Sequence, residues 1–487
     1  MTIKDLKPAA VFAIFDEITR VPRPSKKEGK IRQYLLDFAA AHGIAVKTDA
    51  IGNVAMSVPA TPGHEQAPAL IMQAHMDMVC ESNDKNFDFD NSPITTVVDG
   101  DWLRADGTTL GADNGIGMAA ALAALTDKEL VHGPLEALFT VDEETGLTGA
   151  NNLGEGMITG KILLNLDSED DAEIFVGCAG GVDTTCSFRY ERMMAPTDFH
   201  YFKVDISKGL GGHSGGDIHL GRANANQLLA RFLYALIAGG HEIALAEIDG
   251  GNLRNAIPRA AHAVVGVHAG TKEQVRVAFN EFVAEVENEY AGLEPTLSLE
   301  LASVDRPEYC IDSDTTTRLV EALYSAPHGV ISMSRDLEGL VETSTNLAAV
   351  KMQPDSTVLV TTSQRSSVES RKWDIAHRVE ALFKMAGATV THGDGYPGWA
   401  PNMNSTIMKI AADAYEELYG VRPAIKAIHA GLECGLFLEK MPQLDMVSFG
   451  PTLQGVHSPS ERMYIPAVER FWGQLTRTIE KVADPKA

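Results

Sequence analysis

The chain has 487 residues, of which 45% are hydrophobic, and its 41 basic and 66 acidic residues give a net charge of -25. This length exceeds what one ordinary hydrophobic core accommodates, so we expect at least two domains. A surface this acidic repels phosphate backbones and anionic lipids, which argues against nucleic acids and membranes as partners.

The cysteines and the amino-terminal segment indicate a cytoplasmic protein. The five cysteines are odd in number and stand mostly in apolar surroundings, which is typical of reduced thiols in a core. The first twenty residues lack the features of a secretory signal peptide. Instead, the spacing of Val11, Phe12, Phe15 and Ile18 predicts an amphipathic helix.

The next part of the chain alternates between helix and strand patterns. Ser25 and Gly43 mark the expected ends of a helix, and a hairpin is expected to turn at residues 51–53. Apolar strands are then predicted at residues 69–77, 135–144 and 161–167, with a helix starting near Asp113. This alternation predicts an α/β domain with a mostly parallel sheet and helices on both faces.

Near Gly180 the pattern changes to hairpins and longer strands, which predicts an inserted α+β domain at residues 182–399. Residues 1–181 and 400–487 then form one outer domain, with segment 394–405 as a Pro/Gly-rich return. Within the insertion, Asn255 and Asn346 each precede an apolar strand and a helix. This similarity favours an internal duplication, with chance resemblance of two strand–helix units as the alternative.

Ligand-type side chains stand where the outer-domain strands end, or begin the helix between them. These residues are His75, Asp77, Asp113, Asp142, Glu143, Glu144, Asp167 and His457. The carboxyl ends of parallel strands open on one crevice, and carboxylates gathered there repel one another unless a cation joins them. Two imidazoles with several carboxylates suit one or two divalent transition ions, with zinc preferred by ligand type.

Each of these residues alone has an ordinary explanation. An acid at a strand end is most often a helix cap, His457 alone would be a solvated loop histidine, and Glu143 with Glu144 would be a surface pair. The joint pattern favours a metal site, because every strand that leads to the expected crevice ends in such a residue.

The motifs HMD, GADNGIG, DEETG, NLDSED and GVHSPSE, in that order, resemble the signature of the di-zinc peptidases of the M20 family. RNAIPR and GGHSGG are similar to the aminoacyl-histidine dipeptidase branch of that family. The resemblance implies a di-zinc exopeptidase-like catalytic domain with the insertion as a lid. It also implies hydrolysis of unblocked dipeptides, including Xaa-His dipeptides such as β-alanyl-histidine.

The resemblance further implies two divalent metal ions per chain, expected to be Zn²⁺ with Co²⁺ or Mn²⁺ as substitutes. His75 and Asp167 would bind one ion, and Glu144 and His457 the other. Asp113 would bridge both ions.

The same resemblance implies the catalytic groups. Asp77 would orient His75. Glu143 would take the proton of a metal-bridging water and then protonate the leaving amine. His213, among the glycines of GLGGHSGG, would donate to the oxyanion from the lid, whereas without the resemblance a glycine-rich turn with an exposed histidine would be the preferred explanation.

Three further residues of the insertion are substrate-binding candidates. Arg365 follows an apolar strand and would clamp the terminal carboxylate of the substrate, with a solvated edge arginine as the alternative. Asn255 and Asn346 would hydrogen-bond the substrate. The segment from His429 to Gly435 is expected in the outer domain, where its histidine and Glu433 would line the pocket or serve the structure.

Two other functions stay open beside the dipeptidase. The same metal site would suit an N-acyl-amino-acid deacylase or a tripeptide aminopeptidase, and a non-catalytic binding module would not need Asp77 and Glu143. The sequence leaves open whether the chain is a monomer or a homodimer. A duplicated lid would complete its own site, whereas relatives with a single lid unit borrow a residue such as His213 from the partner.

Overall fold

The computed structural model describes residues 2–484, and the chain divides into two compact units. The outer unit comprises Met1–Cys178, Trp399–Ala427 and Leu432–Ala487. The inserted unit comprises Ala179–Gly398 and Ile428–Gly431. The short second segment of the inserted unit carries His429, which the sequence had placed in the outer domain.

The first segment of the outer unit contains five helices and eight strands. In chain order these are α1 (Ala9–Ile18), α2 (Gly29–His42), β1 (Ala45–Thr48), β2 (Val54–Val58), β3 (Leu70–His75), β4 (Thr96–Asp99), β5 (Trp102–Ala105), α3 (Ala112–Thr126), β6 (Leu135–Thr140), α4 (Glu143–Gly146), α5 (Thr148–Asn151), β7 (Ile162–Asn165) and β8 (Glu173–Cys178).

The inserted unit contains four α-helices and thirteen strands. They are β9 (Gly180–Arg189), β10 (Arg192–Met194), β11 (Phe199–Ser207), β12 (Gly212–His213), α6 (Ala225–Ala238), β13 (Ile243–Gly250), β14 (Ala256–Ile257), β15 (Ala261–His268), α7 (Lys272–Glu289), β16 (Ser298–Val304), β17 (Tyr309–Ile311), α8 (Ser313–Ser325), β18 (Gly329–Met333), β19 (Val341–Gln353), β20 (Thr357–Ser366), α9 (Glu369–Met385) and β21 (Thr389–His392).

The chain ends with α10 (Thr406–Tyr419), β22 (Ala424–Ile428), α11 (Glu433–Lys440), β23 (Asp445–Ser448), β24 (Leu453–Gln454), β25 (Arg462–Tyr464) and α12 (Ile465–Ala483). The outer unit is built on an eight-stranded sheet of order β1-β2-β6-β3-β7-β23-β8-β22. Its four central strands, β6, β3, β7 and β23, run parallel, whereas β1, β2 and β8 pair antiparallel. The mixed α/β fold with a parallel centre follows the sequence prediction.

Strand β3 is the central element that positions the site. All six of its residues are buried, as expected for a strand covered on both faces of a parallel sheet. Its last residue, His75, is 1% exposed and stands at the carboxyl end of the strand. The apolar run that the sequence showed is therefore a core strand that ends in an ionisable group.

Two helix starts differ from the sequence expectation. Helix α2 begins at Gly29, and Ser25 does not cap it, because the Ser25 hydroxyl donates to Asp77 Oδ2 at 2.8 Å. Helix α3 has Gly111 as its N-cap, in the left-handed region at φ +68°. Asp113 has non-helical dihedral angles and makes no capping hydrogen bond, which leaves its carboxylate available to the site.

The inserted unit is built on a sheet of nine strands, eight of which lie in the order β16-β11-β15-β13-β19-β20-β9-β21, while β18 pairs with β19. The four strands on either side of the middle of this order have the same arrangement, counted outwards from β13 on one side and from β19 on the other. One half follows the chain as β11-α6-β13-β15-α7-β16, and the other as β9-α8-β19-β20-α9-β21. The first half is inserted between β9 and α8 of the second. The equivalent helices α6 and α8 meet through stacked rings of Tyr234 and Tyr324, with centroids 4.3 Å apart.

This repeated topology is the arrangement that an internal duplication would leave, and the duplication itself stays a prediction. The two asparagines do not occupy equivalent positions, however. Asn255 follows β13 in a loop, whereas Asn346 lies within β19, the strand equivalent to β13. None of the helices in residues 2–484 combines the length and apolarity that a membrane crossing requires.

Replacing Gly117 by Ala should destabilise the outer unit, although alanine favours helices by about 1 kcal/mol over glycine. A Cβ on Gly117 in α3 would lie 2.7 Å from the Leu166 carbonyl oxygen and 2.1 Å from Asn114 Oδ1. Overpacking of this kind costs about 1–3 kcal/mol. Calorimetry of the metal-free protein should therefore show a lower unfolding temperature.

The matched control is Gly29→Ala, at the first residue of α2, where no atom lies within 4 Å of an added Cβ. This variant should unfold at the wild-type temperature or slightly above it. Equal unfolding temperatures for the two variants would contradict the close approach of α3 to Leu166.

Candidate metal centre and substrate cleft

Asp113 lies between two histidines in the outer unit. Its Oδ1 is 2.9 Å from His75 Nε2, and its Oδ2 is 3.1 Å from His457 Nε2. The three residues come from the end of β3, the start of α3 and the loop between β24 and β25. One carboxylate thus faces two imidazoles through different oxygens, which is the geometry of a bridging ligand.

Each histidine has a second carboxylate beside it. Asp167 Oδ1 lies 3.3 Å from His75 Nε2, and Glu144 Oε2 lies 3.0 Å from His457 Nε2. The structure therefore brings the five residues predicted as metal ligands into one cluster, arranged as two histidine–carboxylate pairs about Asp113.

The electrostatics of this cluster show how strongly it favours positive charge. Hydrogen bonds to Asp113 and Glu144 raise the pKa of His457 to about 11. Burial lowers the pKa of His75, but Asp167 and Asp113 outweigh it and raise the pKa well above its usual value. Burial raises the pKa of Asp167 to about 7. The protonated rings of His75 and His457 therefore provide the positive charge that these carboxylates require.

The donor set fits two divalent ions. Glu144 Oε1 is buried and has no hydrogen-bond partner among the described residues, and Asp167 Oδ1 is buried with the 3.3 Å approach of His75 Nε2 as its one polar contact there. Unsatisfied buried carboxylate oxygens are costly unless they coordinate a cation. Imidazole nitrogens with carboxylate oxygens are ligands that zinc and related transition ions prefer.

Asp77 supports the cluster from behind and is completely buried. Its Oδ1 lies 3.4 Å from His75 Nδ1, the ring nitrogen that faces away from Asp113. The same carboxylate accepts the backbone N–H groups of Glu143 at 3.0 Å and of Glu144 at 3.3 Å. Asp77 thus connects the orientation of one histidine to the placement of the acidic pair.

Glu143 stands beside Glu144 at the start of α4. Burial raises the pKa of Glu143 well above its usual value, and Asp167 and Glu433 add to this effect while His75 opposes it. A carboxyl group with a raised pKa keeps a proton to a higher pH than an ordinary carboxyl group, which suits a base that later returns the proton as an acid.

Sequence reasoning missed Glu461, which holds the start of α3. Its Oε2 accepts the N–H groups of Leu110 at 2.7 Å and Gly111 at 3.0 Å, and its Oε1 accepts that of Ala112 at 2.8 Å. Glu461 is 2% exposed. It stands in the GVHSPSE motif four residues after His457, so one segment carries this predicted ligand and also fixes the loop that presents Asp113.

Arg23 is a second support that the sequence did not reveal. Its guanidinium group is 2% exposed and donates to the Asp77 carbonyl at 2.7 Å, to the Met76 carbonyl at 3.3 Å and to the Gly111 carbonyl. These bonds join the residues after β3 to the loop before α3. The PRPS segment at residues 22–25 therefore has a structural role.

Glu433 belongs to the same neighbourhood. It is fully buried, and its Oε2 accepts from Gln73 Nε2 at 2.6 Å and from the Thr140 hydroxyl at 2.8 Å. Its Oε1 has no partner among the described residues. Burial raises the pKa of Glu433 to about 8. The carboxyl group that the sequence left unassigned thus lines the interior of the outer unit near His75.

The inserted unit has a cleft of about 400 Å³ of its own. Polar side chains on its wall include Asp183, Arg254, Asn255, Arg365, Asp394 and Tyr396. Arg365 is 7% exposed, and its Nη1 donates to the Tyr396 hydroxyl at 2.8 Å. Its Nε is buried without a partner among the described residues, so the guanidinium group keeps a donor available.

The two glycines that follow Ser214 determine which ring nitrogen of His213 carries the proton. The N–H groups of Gly215 and Gly216 donate to His213 Nδ1 at 3.2 and 3.0 Å. Partial desolvation and the nearby Arg365 lower the pKa of His213. The ring is therefore neutral at neutral pH with its proton on Nε2, which makes it a hydrogen-bond donor at that atom.

His429 is a second neutral imidazole in this unit. Burial lowers its pKa to about 3, and the charge of Arg365 contributes. Its Nε2 lies 2.7 Å from the Ser344 hydroxyl, and its Nδ1 has no partner among the described residues. Two uncharged histidines thus lie near the buried arginine.

The two asparagine candidates differ in their surroundings. Asn255 lies on the cleft wall, whereas Asn346 is 1% exposed within β19. Asn346 Nδ2 donates to the Ala256 carbonyl at 2.8 Å and the Arg254 carbonyl at 3.3 Å. Asn346 therefore fixes the loop that carries Asn255.

Comparisons with known proteins identify the family of this chain. The model of peptidase family M20/M25/M40 matches residues 71–481. Over 485 residues the chain is 41% identical to the cytosol non-specific dipeptidase of Escherichia coli (strain K12), covering 99% of each chain. It is 42% identical to the aminoacylhistidine dipeptidase of Vibrio alginolyticus, whose crystal structure superposes with a TM-score of 0.92 over 99% of this chain and 98% of that one.

A more distant structure shares the fold alone. The aminopeptidase PepT from Bacillus cereus is 17% identical, with a TM-score of 0.62 over 98% of this chain and 100% of that one. The chain belongs to the M20 family of metal-dependent peptidases and is a peptide-bond hydrolase.

Replacing Glu461 by Gln should weaken metal binding, because the amide group would present N–H atoms to two backbone N–H groups. Each orphaned buried donor costs about 1–3 kcal/mol. Loss of an outer support of a ligand lowers metal affinity by about 10–100-fold. Competition with a chelator would measure the affinity, and thermal unfolding of the metal-free protein would measure the stability.

The matched control is Glu136→Gln. Glu136 is another buried carboxylate of the outer unit, and it accepts the N–H groups of Thr159 and Gly160. This variant should lose stability but keep the metal affinity. Equal metal affinities for the two variants would contradict a specific role for Glu461.

Proposed function

We propose that this chain is a di-metal dipeptidase that cleaves unblocked dipeptides, with Xaa-His dipeptides such as β-alanyl-histidine among them. The observation that carries the proposal is the bridging position of Asp113 between His75 and His457, at 2.9 and 3.1 Å. The dipeptidases named above, each over 40% identical across nearly the whole chain, support the substrate class.

The proposed cofactor is a pair of Zn²⁺ ions, for which Co²⁺ or Mn²⁺ would substitute. His75 and Asp167 would hold one ion, Glu144 and His457 the other, and Asp113 would bridge them. When bound, the ions supply Lewis acidity, which polarises the scissile carbonyl and lowers the pKa of the attacking water.

Glu143 is the proposed proton carrier. It would accept the proton of the attacking water and return it to the leaving amine, and its raised pKa supports both steps. Asp77 is the proposed positioning residue for His75, supported by its place behind Nδ1.

In the inserted unit, we propose that His213 donates from Nε2 to the developing oxyanion and that Arg365 binds the terminal carboxylate of the dipeptide. The acceptor contacts at His213 Nδ1 and the unpartnered Arg365 Nε support these roles. Asn255 would bind substrate from the cleft wall, whereas Asn346 would act through Asn255.

We also propose a cytoplasmic location. All five cysteines are free, and four of them are buried. The name of the Escherichia coli relative is in keeping with this location.

A substrate panel with metal analysis tests the proposed function. Carnosine and other free dipeptides should be hydrolysed faster than tripeptides or N-acetyl amino acids by protein that contains two metal ions per chain. The variant Glu143→Gln keeps the size of the side chain but cannot take up a proton. It should lose about 10²–10⁴-fold in turnover while it binds the same amount of metal.

Other outcomes would identify the alternatives. Preference for tripeptides or N-acetyl amino acids would replace the dipeptidase by an aminopeptidase or a deacylase. A metal-loaded protein without amidase activity would indicate a binding module. Full activity in Glu143→Gln would refute the role of Glu143.

Replacing Arg365 by Met should affect substrates according to their carboxyl terminus. A hydrogen bond between charged groups contributes about 1.5–3 kcal/mol, so kcat/KM for a free dipeptide should fall roughly 10–100-fold. The amide of the same dipeptide lacks the carboxylate and should lose little. Steady-state kinetics on the two substrates provide the measurement.

Arg231→Met is the control, since Arg231 pairs with Glu285 and Glu289 on the surface of the inserted unit. It should leave both substrates unaffected. Equal losses for the free dipeptide and its amide in Arg365→Met would show that Arg365 does not recognise the carboxylate.

A further inference from the structure

Three ligand-type side chains of the inserted unit lie together on α9 and β21. His377 and Glu380 are three residues apart on α9 and therefore share one face of the helix. His392 is the last residue of β21. One potential ligand atom from each side chain lies within 4.8 Å of the others. The proposed dipeptidase function makes no use of this group.

A buried hydrogen-bond chain orients His392. Gln364 Nε2 donates to the Thr362 hydroxyl at 2.7 Å, so Gln364 Oε1 is the acceptor for the Thr184 hydroxyl, also at 2.7 Å. The Thr184 hydroxyl has thereby used its proton. At 2.9 Å from His392 Nδ1, its oxygen can only accept, so the proton of His392 lies on Nδ1.

The other nitrogen of His392 consequently carries a lone pair when the ring is neutral. That atom, Nε2, lies 3.3 Å from Glu380 Oε2, which is itself an acceptor. Two facing acceptors are stabilised only by a proton or a cation between them. A histidine whose Nδ1–H is fixed by a second residue, with Nε2 turned to a carboxylate, has the arrangement found in metal sites.

We propose that His377, Glu380 and His392 bind a divalent transition-metal ion, with Zn²⁺ favoured by the ligand types. Two imidazoles and one carboxylate form a ligand set that zinc accepts with water in the fourth position. The net charge of -25 raises the concentration of cations near the surface. Lys384, which now donates to Glu380 and is 57% exposed, would turn to solvent when the ion binds.

An ion at this position would join α9 to β21. Strand β21 is four residues long, stands at the edge of the nine-stranded sheet and pairs with β9 alone. An ion that binds the folded state but not the unfolded state stabilises the folded state. The ion would therefore secure the short edge strand, independently of the centre in the outer unit and of the proposed peptidase function.

Zinc binding to the full-length protein tests the proposal. Wild type and the double variant His377→Gln/His392→Gln would be dialysed against buffered micromolar free Zn²⁺, and bound zinc would be counted by mass spectrometry. We expect the wild type to hold one equivalent more than the double variant. Glu380→Gln should raise the Kd of that equivalent at least tenfold, because a charged ligand is lost.

Trp373 provides a second measurement. Its ring centroid lies 5.8 Å from that of His377 and 5.7 Å from that of His392. Cu²⁺ binds such ligands more tightly than Zn²⁺ and should quench the fluorescence of Trp373. The quenching should be weaker in the double variant and in Trp373→Phe than in the wild type, because copper at the centre in the outer unit acts only on the other tryptophans.

The control is His268→Gln. His268 is an exposed histidine of the same unit that lies 3.6 Å from a carboxylate of Asp198 but belongs to no group of three ligand-type residues in the part of the chain that the structure describes. It should bind as much zinc as the wild type. Equal zinc content in the wild type and the double variant, or equal copper quenching in the two proteins, would overturn the proposal.

Discussion

The placement of Asp113 between His75 and His457 is the constraint on which the rest of the outer unit depends. A bridging carboxylate must present both oxygens, so it needs a backbone that keeps the side chain clear of its own helix. The non-helical dihedral angles of Asp113 meet this need, and the left-handed Gly111 before it turns the chain into α3. The irregular start of α3 thus leaves both oxygens of the Asp113 carboxylate accessible to the two histidines.

The support of this loop follows one chemical pattern. Glu461 accepts backbone N–H groups, and the Arg23 guanidinium donates to backbone carbonyls. The Asp77 carboxylate likewise accepts hydrogen bonds from the backbone N–H groups of Glu143 and Glu144. Buried charges are therefore satisfied by the main chain, and the carboxylates of the cluster are kept for histidines and cations. This arrangement offsets the cost of burying several acids together.

The inserted unit places its charge differently. Burial lowers the pKa values of His213 and His429, and the positive charge of the buried Arg365 adds to this effect. Neutral imidazoles next to a cation can donate or accept without adding charge, which suits groups that contact a polar, zwitterionic ligand. The contrast with His75 and His457, whose pKa values are raised by carboxylates, shows that the neighbours of a histidine decide its protonation.

The strand ends of the outer unit could be predicted from the sequence because burial leaves an apolar run in front of ligand-type residues such as His75 and Asp167. Glu461 and Arg23 could not, since their partners are backbone atoms of distant segments and a main-chain contact has no sequence pattern. Ser25 looked like a helix cap because local spacing cannot show that Asp77 competes for its hydroxyl.

The tautomers of the histidines likewise could not be predicted from the sequence. His213 receives two backbone N–H groups on Nδ1, whereas His392 donates from Nδ1 to a threonine whose own proton is already engaged. The first ring is left with a donor on Nε2 and the second with a lone pair, so one suits an oxyanion and the other a cation. The residue type is the same in both, and the difference comes from contacts that only the folded chain makes.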